Sequence, residues 1–404
     1  MTEPGAYTPF VAIACGGTGG HLFPGLAVAE QLTQRGCAVA LLISPKDVDQ
    51  QAVKSARGLE SITLPAVALQ NRNYFAFAGS FLKSLLAAQK VFRRRKPRAV
   101  LAMGGFTAAP PVWVGKDFGA KTFLHESNTI PGRANRLLAR FVDEAFVGFP
   151  ETAARLKARK VTATGTPVRF RFSPDAIRRA QDADCRVALG LEPACPTVLV
   201  VGGSQGASGL NEMIVSALPL LAEKNWQWLH LTGVKDFEKV KAAYAARGIR
   251  AAVKPFLAEM DLALGAATAA VSRAGASSLA ELAALRLPAL LVPFPAAADN
   301  HQFYNARALE ATGAARLLEQ KGATPENIAA AVVELMENRD ALFQMRAALA
   351  QWHAPKAAEQ IAETILSAVT RSADSVSTRS AEDAHLRTSR PQTGKPEPER
   401  FSAV

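Results

Sequence analysis

Apolar positions along this chain fall into two alternating patterns. Short unbroken runs, "FVAIA" (Phe10–Ala14), "AVALLIS" (Ala38–Ser44) and "RAVLAMGG" (Arg98–Gly105), have the length and composition of strands buried on both faces. Between them lie stretches with helical spacing, such as "HLFPGLAVAEQL" (His21–Leu32). The second half repeats the scheme with "PTVLVV" (Pro196–Val201), "WLHLTG" (Trp228–Gly233), "AAVSRAG" (Ala269–Gly275) and "PALLVPF" (Pro288–Phe294). Strands alternating with helices predict parallel sheets, and two such series in 404 residues predict two α/β domains.

The opening run of each half ends in a glycine-rich turn followed by a helical pattern: "ACGGTGGHLFPGLAVAE" (Ala14–Glu30) and "VVGGSQGASGLNEM" (Val200–Met213). Each predicts the first βα unit of a Rossmann-like domain, its helix N-terminus open to an anion. Two such loops facing each other would bind a phosphate-bearing ligand between the domains. The first domain is expected over residues 1–167 and the second over 168–345, joined near "GTPVRFRFSP" (Gly165–Pro174). A C-terminal helix is expected over 346–370, and the Ser-, Thr- and Pro-rich stretch 371–404 reads as a disordered tail.

The loops disfavour two common nucleotide chemistries. Leu22 stands where GxGxxG needs its last glycine, and Ser44 where an adenosine ribose needs a carboxylate. Neither loop has the lysine of a P-loop. The 4 Cys form no CxxC pair, which argues against a disulfide framework or a zinc site and suits a reducing cytosol. The N-terminus is unlike a signal peptide, and no uncharged apolar stretch is long enough to span a bilayer. The net charge of +12 is unevenly placed: from Lys83 to Arg140 only Asp117 and Glu126 offset many Lys and Arg. Such a segment attracts an anionic partner.

Seven stretches, in order, carry a specific resemblance: "GGTGGHLFPGLAVA", "MGGFTAAP", "HESNTIPGRANR", "GTPVR", "GGSQGA", "SRAGASSLAEL" and "PFPAAADNHQFYNA". Together they resemble the MurG-type transferases, which move N-acetylglucosamine (GlcNAc) from UDP-GlcNAc to the C4 hydroxyl of MurNAc in lipid I. The product is lipid II, in peptidoglycan synthesis. The resemblance implies a GT-B fold: two Rossmann-like domains with parallel sheets facing across a cleft, the C-terminal helix crossing back onto the first. It implies no cofactor and no metal, the leaving pyrophosphate being held by helix N-termini and backbone N–H groups. No DxD-like carboxylate pair stands near either loop.

Carried over to this chain, the resemblance gives roles to particular residues. Donor contacts fall on Thr18, Gly19, Gly20, Asn128 and Arg169 of the first half and hinge, and on Ser204, Gln205 and Gly206 of the second loop. Phe256 and Leu257 would flank the uracil, and His301, Gln302 and Asn305 the GlcNAc hydroxyls. A helix from Ala276 would put Ser277, Ser278 and Glu281 on neighbouring turns of one face, with Glu281 accepting the ribose hydroxyls. Gly16, Gly17, Gly104, Gly105 and Asn135 would receive the acceptor diphosphate. His21 is a candidate general base for the MurNAc hydroxyl, or else it pins its loop or the acceptor phosphate. Glu126 is the competing base, with His125 beside it as an alternative buried cap partner. The chain departs from the family pattern at Ser127, Thr166, Ala108 and Ala296, which bears on the fine contacts to sugar and phosphate.

Phe75, Phe77, Phe81 and Trp113, with the basic Arg93, Arg94 and Arg95, suit shallow docking on anionic lipids at the cytoplasmic face of the inner membrane. Other cell-wall synthesis proteins are further candidate partners. Two alternatives remain at this stage: a same-fold transferase with another lipid acceptor such as diacylglycerol, and a non-catalytic nucleotide-sugar or nucleic-acid binding module. Nucleic acid is disfavoured, because the arginines lack an interleaved aromatic platform.

Overall fold

The computed structural model describes residues 8–17, 19–46, 50, 58–65, 74–105, 107–169, 172, 182–203 and 206–371. The tail expected to be disordered therefore lies, past Arg371, outside the described residues, as do Thr18, Ser204 and Gln205.

The first half runs β1 (Phe10–Ala14), α1 (Gly19–Gln34), β2 (Ala38–Ile43), β3 (Glu60–Thr63), α2 (Tyr74–Arg94) and β4 (Ala99–Ala102). It continues with α3 (Ala109–Asp117), β5 (Lys121–Glu126), α4 (Arg133–Leu138), β6 (Glu144–Val147) and β7 (Val161–Ala163). The second half runs α5 (Asp182–Ala188), β8 (Thr197–Val201), α6 (Ser208–Leu221), β9 (Gln227–Leu231), α7 (Phe237–Ala245), β10 (Ala251–Lys254) and α8 (Met260–Ala266). Then come β11 (Ala269–Ser272), α9 (Ala276–Ala284), β12 (Ala289–Leu291), α10 (His301–Ala311), β13 (Arg316–Leu317), α11 (Pro325–Glu337) and α12 (Arg339–Trp352). A last helix, α13, covers 357–371.

The strands form two sheets, β3-β2-β1-β4-β5-β6-β7 and β10-β9-β8-β11-β12-β13, and every pairing is parallel. Two Rossmann-like halves with parallel sheets were the architecture the sequence predicted. β1 shows why its run is apolar at every position. Val11 and Ile13 pack on one side against Leu22 and Leu26 of α1, while Phe10 and Ala12 pack on the other against Phe92 of α2 and Val112 of α3. α11 starts where a capping box closes its first turn: Thr324 Oγ1 accepts from Asn327 N, and Asn327 Oδ1 accepts from Thr324 N.

α13 crosses back, burying Ile361, Ile365 and Val369 against the first-domain core. The crossing begins later than the expected 346. Met345 and Leu349 of α12 are buried in the second-domain core, and the break falls at 353–356, where Pro355 ends helical continuity. In the other direction the chain leaves β7 at Ala163, and Phe172 is already buried in the second core. The two crossings touch: a methyl on Gly165, whose φ is +80°, would lie 3.8 Å from Ala354 Cα.

Strand order reverses between β1 and β4 in one sheet and between β8 and β11 in the other. Crevices beyond the carboxyl ends of such strands are where open parallel sheets bind ligands. The two glycine-rich turns follow β1 and β8, so both stand at a switch point.

Each domain also buries a neutral histidine. His230 of β9 bonds through Nε2 to Asn211 Oδ1 (3.0 Å) and through Nδ1 to Tyr244 Oη (3.1 Å), and burial lowers its pKa to about 3. His125 of β5 donates from Nε2 to Gly165 O (3.1 Å), since a carbonyl only accepts, and its Nδ1 accepts from Ser127 Oγ (3.2 Å). Burial lowers its pKa to about 4, against the opposing pull of the Gly165 bond and the Glu126 charge. His125 is therefore a strand residue that pins the interdomain hinge, not a helix-cap partner. The unfolded chain protonates both rings near the usual 6.5, which the fold resists until about 4 and 3. Stability should be full above pH 6.5 and fall below it by ~1.4 kcal/mol per pH unit for each histidine. Denaturant unfolding at pH 7, 6 and 5 measures this; an unchanged unfolding free energy over that range would contradict it.

Candidate active site

At the first switch point the predicted acceptor-side residues come together. His21 lies in the first turn of α1 with its ring against the backbone that follows β4. A methyl on Gly104 would lie 3.0 Å from His21 Nε2, and one on Gly105 would lie 3.1 Å from Nδ1. Both glycines have positive φ, 105° and 80°, so this turn needs glycine for its conformation as well as for the ring beside it. Thr107 Oγ1 donates to Gly16 O at 2.8 Å, closing the loop after β4 onto the loop after β1. Asn135 Nδ2 reaches the same spot, 3.0 Å from a methyl on Gly104. Lys46 completes this edge by donating from Nζ to Gly17 O at 2.9 Å. A lone lysine two residues past a strand-like run carries no sequence signal for such a contact.

Glu126 occupies a different role from the one expected. Its Oε1 accepts from Asn128 N (2.9 Å) and Asn128 Nδ2 (3.0 Å), and its Oε2 accepts from Gly132 N (2.9 Å) and Asn135 Nδ2 (2.8 Å). The side chain is buried, and both oxygens have two donors each. A general base must offer a lone pair to the substrate, and Glu126 has none to offer. It organises the loop from Asn128 to Asn135 instead.

The second-domain residues meet the first domain along a seam. α9 begins at Ala276, as its sequence predicted, and Ser277, Ser278 and the half-buried Glu281 fall on neighbouring turns. Ser277 Oγ donates to Gly20 O at 2.9 Å. Pro24 explains why that carbonyl is available: α1 runs through Pro24, which has no N–H to donate to the carbonyl four residues back. A proline in one domain thus opens an acceptor for a serine of the other.

In α10, Gln302 Oε1 accepts from Phe294 N (2.9 Å) and Ala274 N (3.3 Å), which fixes the orientation of its amide. His301 donates from Nδ1 to Ala298 O at 2.8 Å. Asn305 is not on hand for a sugar. It is fully buried, accepts from Thr129 N (2.9 Å) and Thr129 Oγ1 (3.0 Å), and donates to Asn128 Oδ1 (3.0 Å) and Ala274 O (3.1 Å). Asn128 in turn keeps a single Nδ2 hydrogen for any donor substrate. At the outer edge of the seam Asp299 pairs with Arg133 (3.2 Å) and Arg136 (2.8 Å), and the Arg133 hydrogen bond leads in lowering its pKa.

Gly206 has φ +76° and packs so closely that a methyl would come within 2.7 Å of Gly233 Cα, holding the second glycine loop against the turn after β9. Phe256 and Leu257 follow β10, Phe256 exposed and Leu257 packed on the core. Arg169 stands at the hinge. Its guanidinium lies 4.4 Å from the Phe23 ring and 5.2 Å from Phe172, beside a hinge cavity of about 240 Å³ that His353 and Ala354 also line.

The aromatic patch and the arginines that the sequence grouped together are separated along α2. Phe75 is 95% exposed near the N-terminal end, with Leu82 and Leu86 also exposed. Phe77, Phe81, Trp113 and Phe141 form a continuous series of ring contacts 5.4 to 6.3 Å apart. Arg93 to Arg95 lie ~27 Å away along the helix axis. Arg95 is spent on the Phe10 ring (4.4 Å) and Glu60 (3.6 Å). Since α2 leads into β4, its Phe75 end stands at the carboxyl edge of the sheet, with the glycine loops. The exposed Leu137 and Phe141 enlarge this end, and their spacing of four in "RLLARF" is the local sequence signal for them. Among the described residues no helix is long and apolar enough to cross a membrane.

The same arrangement occurs in proteins of known structure and name. A crystal structure of Acinetobacter baumannii MurG is 29% identical, with a TM-score of 0.69 over 89% of this chain and all (100%) of that one. The glycotransferase of kitacinnamycin, at 18% identity and a TM-score of 0.65, shares the fold, which is GT-B. A relative from Anaeromyxobacter dehalogenans is 37% identical over 374 residues, covering 89% of this chain and 93% of its own. One from Xanthomonas oryzae pv. oryzae is 36% identical, covering 90% of this chain and 80% of its own. Both bear the name UDP-N-acetylglucosamine–N-acetylmuramyl-(pentapeptide) pyrophosphoryl-undecaprenol N-acetylglucosamine transferase. Residues 11–147 match the glycosyltransferase family 28 N-terminal domain and residues 197–361 its C-terminal domain. With both halves matched in order and on the two sheets described above, the chain belongs to glycosyltransferase family 28.

Proposed function

We propose that this chain transfers GlcNAc from UDP-GlcNAc to the C4 hydroxyl of MurNAc in undecaprenyl-pyrophosphoryl-MurNAc-pentapeptide, with inversion at the anomeric carbon. The observation that carries the reading is a glycine-rich loop at the switch point of each sheet, with His21 set against Gly104 and Gly105 and with Ser277 of α9 bonded across the seam to Gly20 O.

The second domain takes the donor. Glu281 accepts the ribose hydroxyls, the Leu257 backbone and the Phe256 ring flank the uracil, and His301 and Gln302 meet the sugar. The leaving diphosphate is stabilised by N–H groups at the start of α6 and α9, with no charge that must reorganise during the step. The first domain takes the acceptor diphosphate on the loops of Gly16, Gly17, Gly104 and Gly105. His21 accepts the hydroxyl proton as the C4 oxygen bonds to the anomeric carbon and the UDP oxygen departs with the bonding pair. Glycine at 104 and 105 lets the imidazole lie flat on the loop.

The Phe75 end of α2 docks on the cytoplasmic face of the plasma membrane and brings the acceptor-side loops to a lipid-borne substrate. The exposed Phe75, Leu82, Leu86, Leu137 and Phe141 supply apolar area, and Lys116, which donates from Nζ to Phe141 O at 2.8 Å, sets a cation beside it for anionic headgroups.

UDP release tests the reaction. Release should depend on added lipid I. His21→Ala should lower kcat by about a hundredfold or more, within the usual worth of a general base, and keep donor affinity. Glu281→Ala should raise the KM for UDP-GlcNAc by about tenfold, the loss of a charged hydrogen-bond pair. Bound UDP-GlcNAc with no acceptor-dependent release would reject the proposal. Cosedimentation with vesicles tests the surface: Leu82→Asp/Leu86→Asp should abolish binding to anionic vesicles, and retention of binding would move the docking face elsewhere.

A further inference from the structure

The hydrogen bonds around Glu126 have a direction. An ionised carboxylate only accepts, so Asn128 must turn its Nδ2 toward Glu126 Oε1, at 3.0 Å. Its Oδ1 then faces the other domain, where it accepts from Asn305 Nδ2 at 3.0 Å. With Nδ2 committed to Asn128 Oδ1 and Ala274 O, Asn305 must present Oδ1 to Thr129, whose N and Oγ1 both donate to it. Each amide has one orientation, and the charge on Glu126 sets it for all.

This chain of bonds connects the two substrate sides. On Oε2, Glu126 holds Asn135, which lies against Gly104 beside the His21 ring. Through Oε1, Asn128 and Asn305 it holds Ala274, the turn from which α9 carries Ser277, Ser278 and Glu281. Gln302 reads the same turn, accepting from Ala274 N. Glu126, Thr129, Asn135 and Asn305 are all buried, so water does not substitute for a lost partner.

We propose that Glu126, Asn128 and Asn305 form an interdomain amide relay that fixes the register between the acceptor-side histidine and the donor-binding turn. The three are positioning residues. The relay holds the domains where the anomeric carbon meets the attacking hydroxyl; it does not hold the nucleotide, which the second domain binds on its own elements. A reacting distance is sensitive to small displacements even when binding is not. The inference rests on the transfer reaction proposed above.

Reversing the polarity of the relay tests it. In Glu126→Gln one oxygen becomes an amide nitrogen, which faces either the Asn128 donors or those of Gly132 and Asn135. In Asn305→Asp a carboxylate faces the Asn128 and Ala274 oxygens. Each single variant should lose at least tenfold in kcat while UDP affinity changes less than about threefold. In the double variant Asn128 can flip, donating to the new carboxylate at position 305 and accepting from the new amide at position 126. Its kcat should therefore exceed the product of the two single losses by about tenfold, whereas Glu126→Gln/Asn305→Ala should show no such recovery.

Unfolding midpoints follow the same cycle and need no activity, so they report on the relay even if wild-type protein transfers nothing to lipid I. That last result would reject the reaction and leave the relay standing. Thr129→Val keeps the backbone donor and removes one bond, and it covers the case of a variant that does not fold; its kcat should fall severalfold at unchanged UDP affinity. Strict additivity in both kcat and unfolding, or UDP affinity falling in step with kcat, would overturn the relay.

Discussion

The cleft depends on one buried carboxylate, Glu126, which has no cationic partner among the described residues. Moving an ionised group away from water costs several kcal/mol unless its lone pairs are met, and Glu126 meets them with four N–H donors from its own loop. Each donor left without it would forfeit on the order of 1–3 kcal/mol. The stretch from Asn128 to Gly132 is irregular backbone at the carboxyl edge of a sheet, shaped by this carboxylate and by Thr152 Oγ1, which donates to Asn128 O (2.9 Å) and Thr129 O (3.2 Å). With the loop fixed, Thr129 and Asn128 are in place for Asn305, and Asn135 for the Gly104 turn.

The seam is assembled from several modest contacts of this kind, spread along its length. Asn305 closes it inside, Asp299 outside, and Ser277 at the N-terminus of α1. The exposed Asp299 pairs contribute little individually because solvent screens them. The buried amides contribute direction, since they accept only one polarity. A seam of this type suits an enzyme that must admit a nucleotide sugar and a lipid-borne acceptor and then hold them in one geometry.

What the sequence made legible was local. Strand runs, the glycine turns after β1 and β8 and the start of α9 all follow from periodicity and backbone freedom within a few residues. The pairing of His21 with Gly104 and Gly105 was within reach through the resemblance, which put all three on the acceptor side. The seam was not legible. Asn128 and Asn305 are 177 residues apart and Gly20 and Ser277 are 257 apart, so no local pattern couples them. The ring contacts of Arg169 were not legible for a related reason: Phe23 and Phe172 are brought to it only by the hinge. The basic run at Arg93 was near the aromatic patch in sequence, but a helix of 21 residues separates its two ends.

The division of labour between His21 and Glu126 is the central claim, and the pH dependence of a single turnover tests it most directly. Transfer would be followed from pH 5 to 9 at saturating UDP-GlcNAc in wild type, His21→Gln and Glu126→Gln. The account requires the acidic limb of the profile to vanish in His21→Gln and to persist, at reduced amplitude, in Glu126→Gln. A limb that survives in His21→Gln and disappears in Glu126→Gln would make the carboxylate the base and contradict the account.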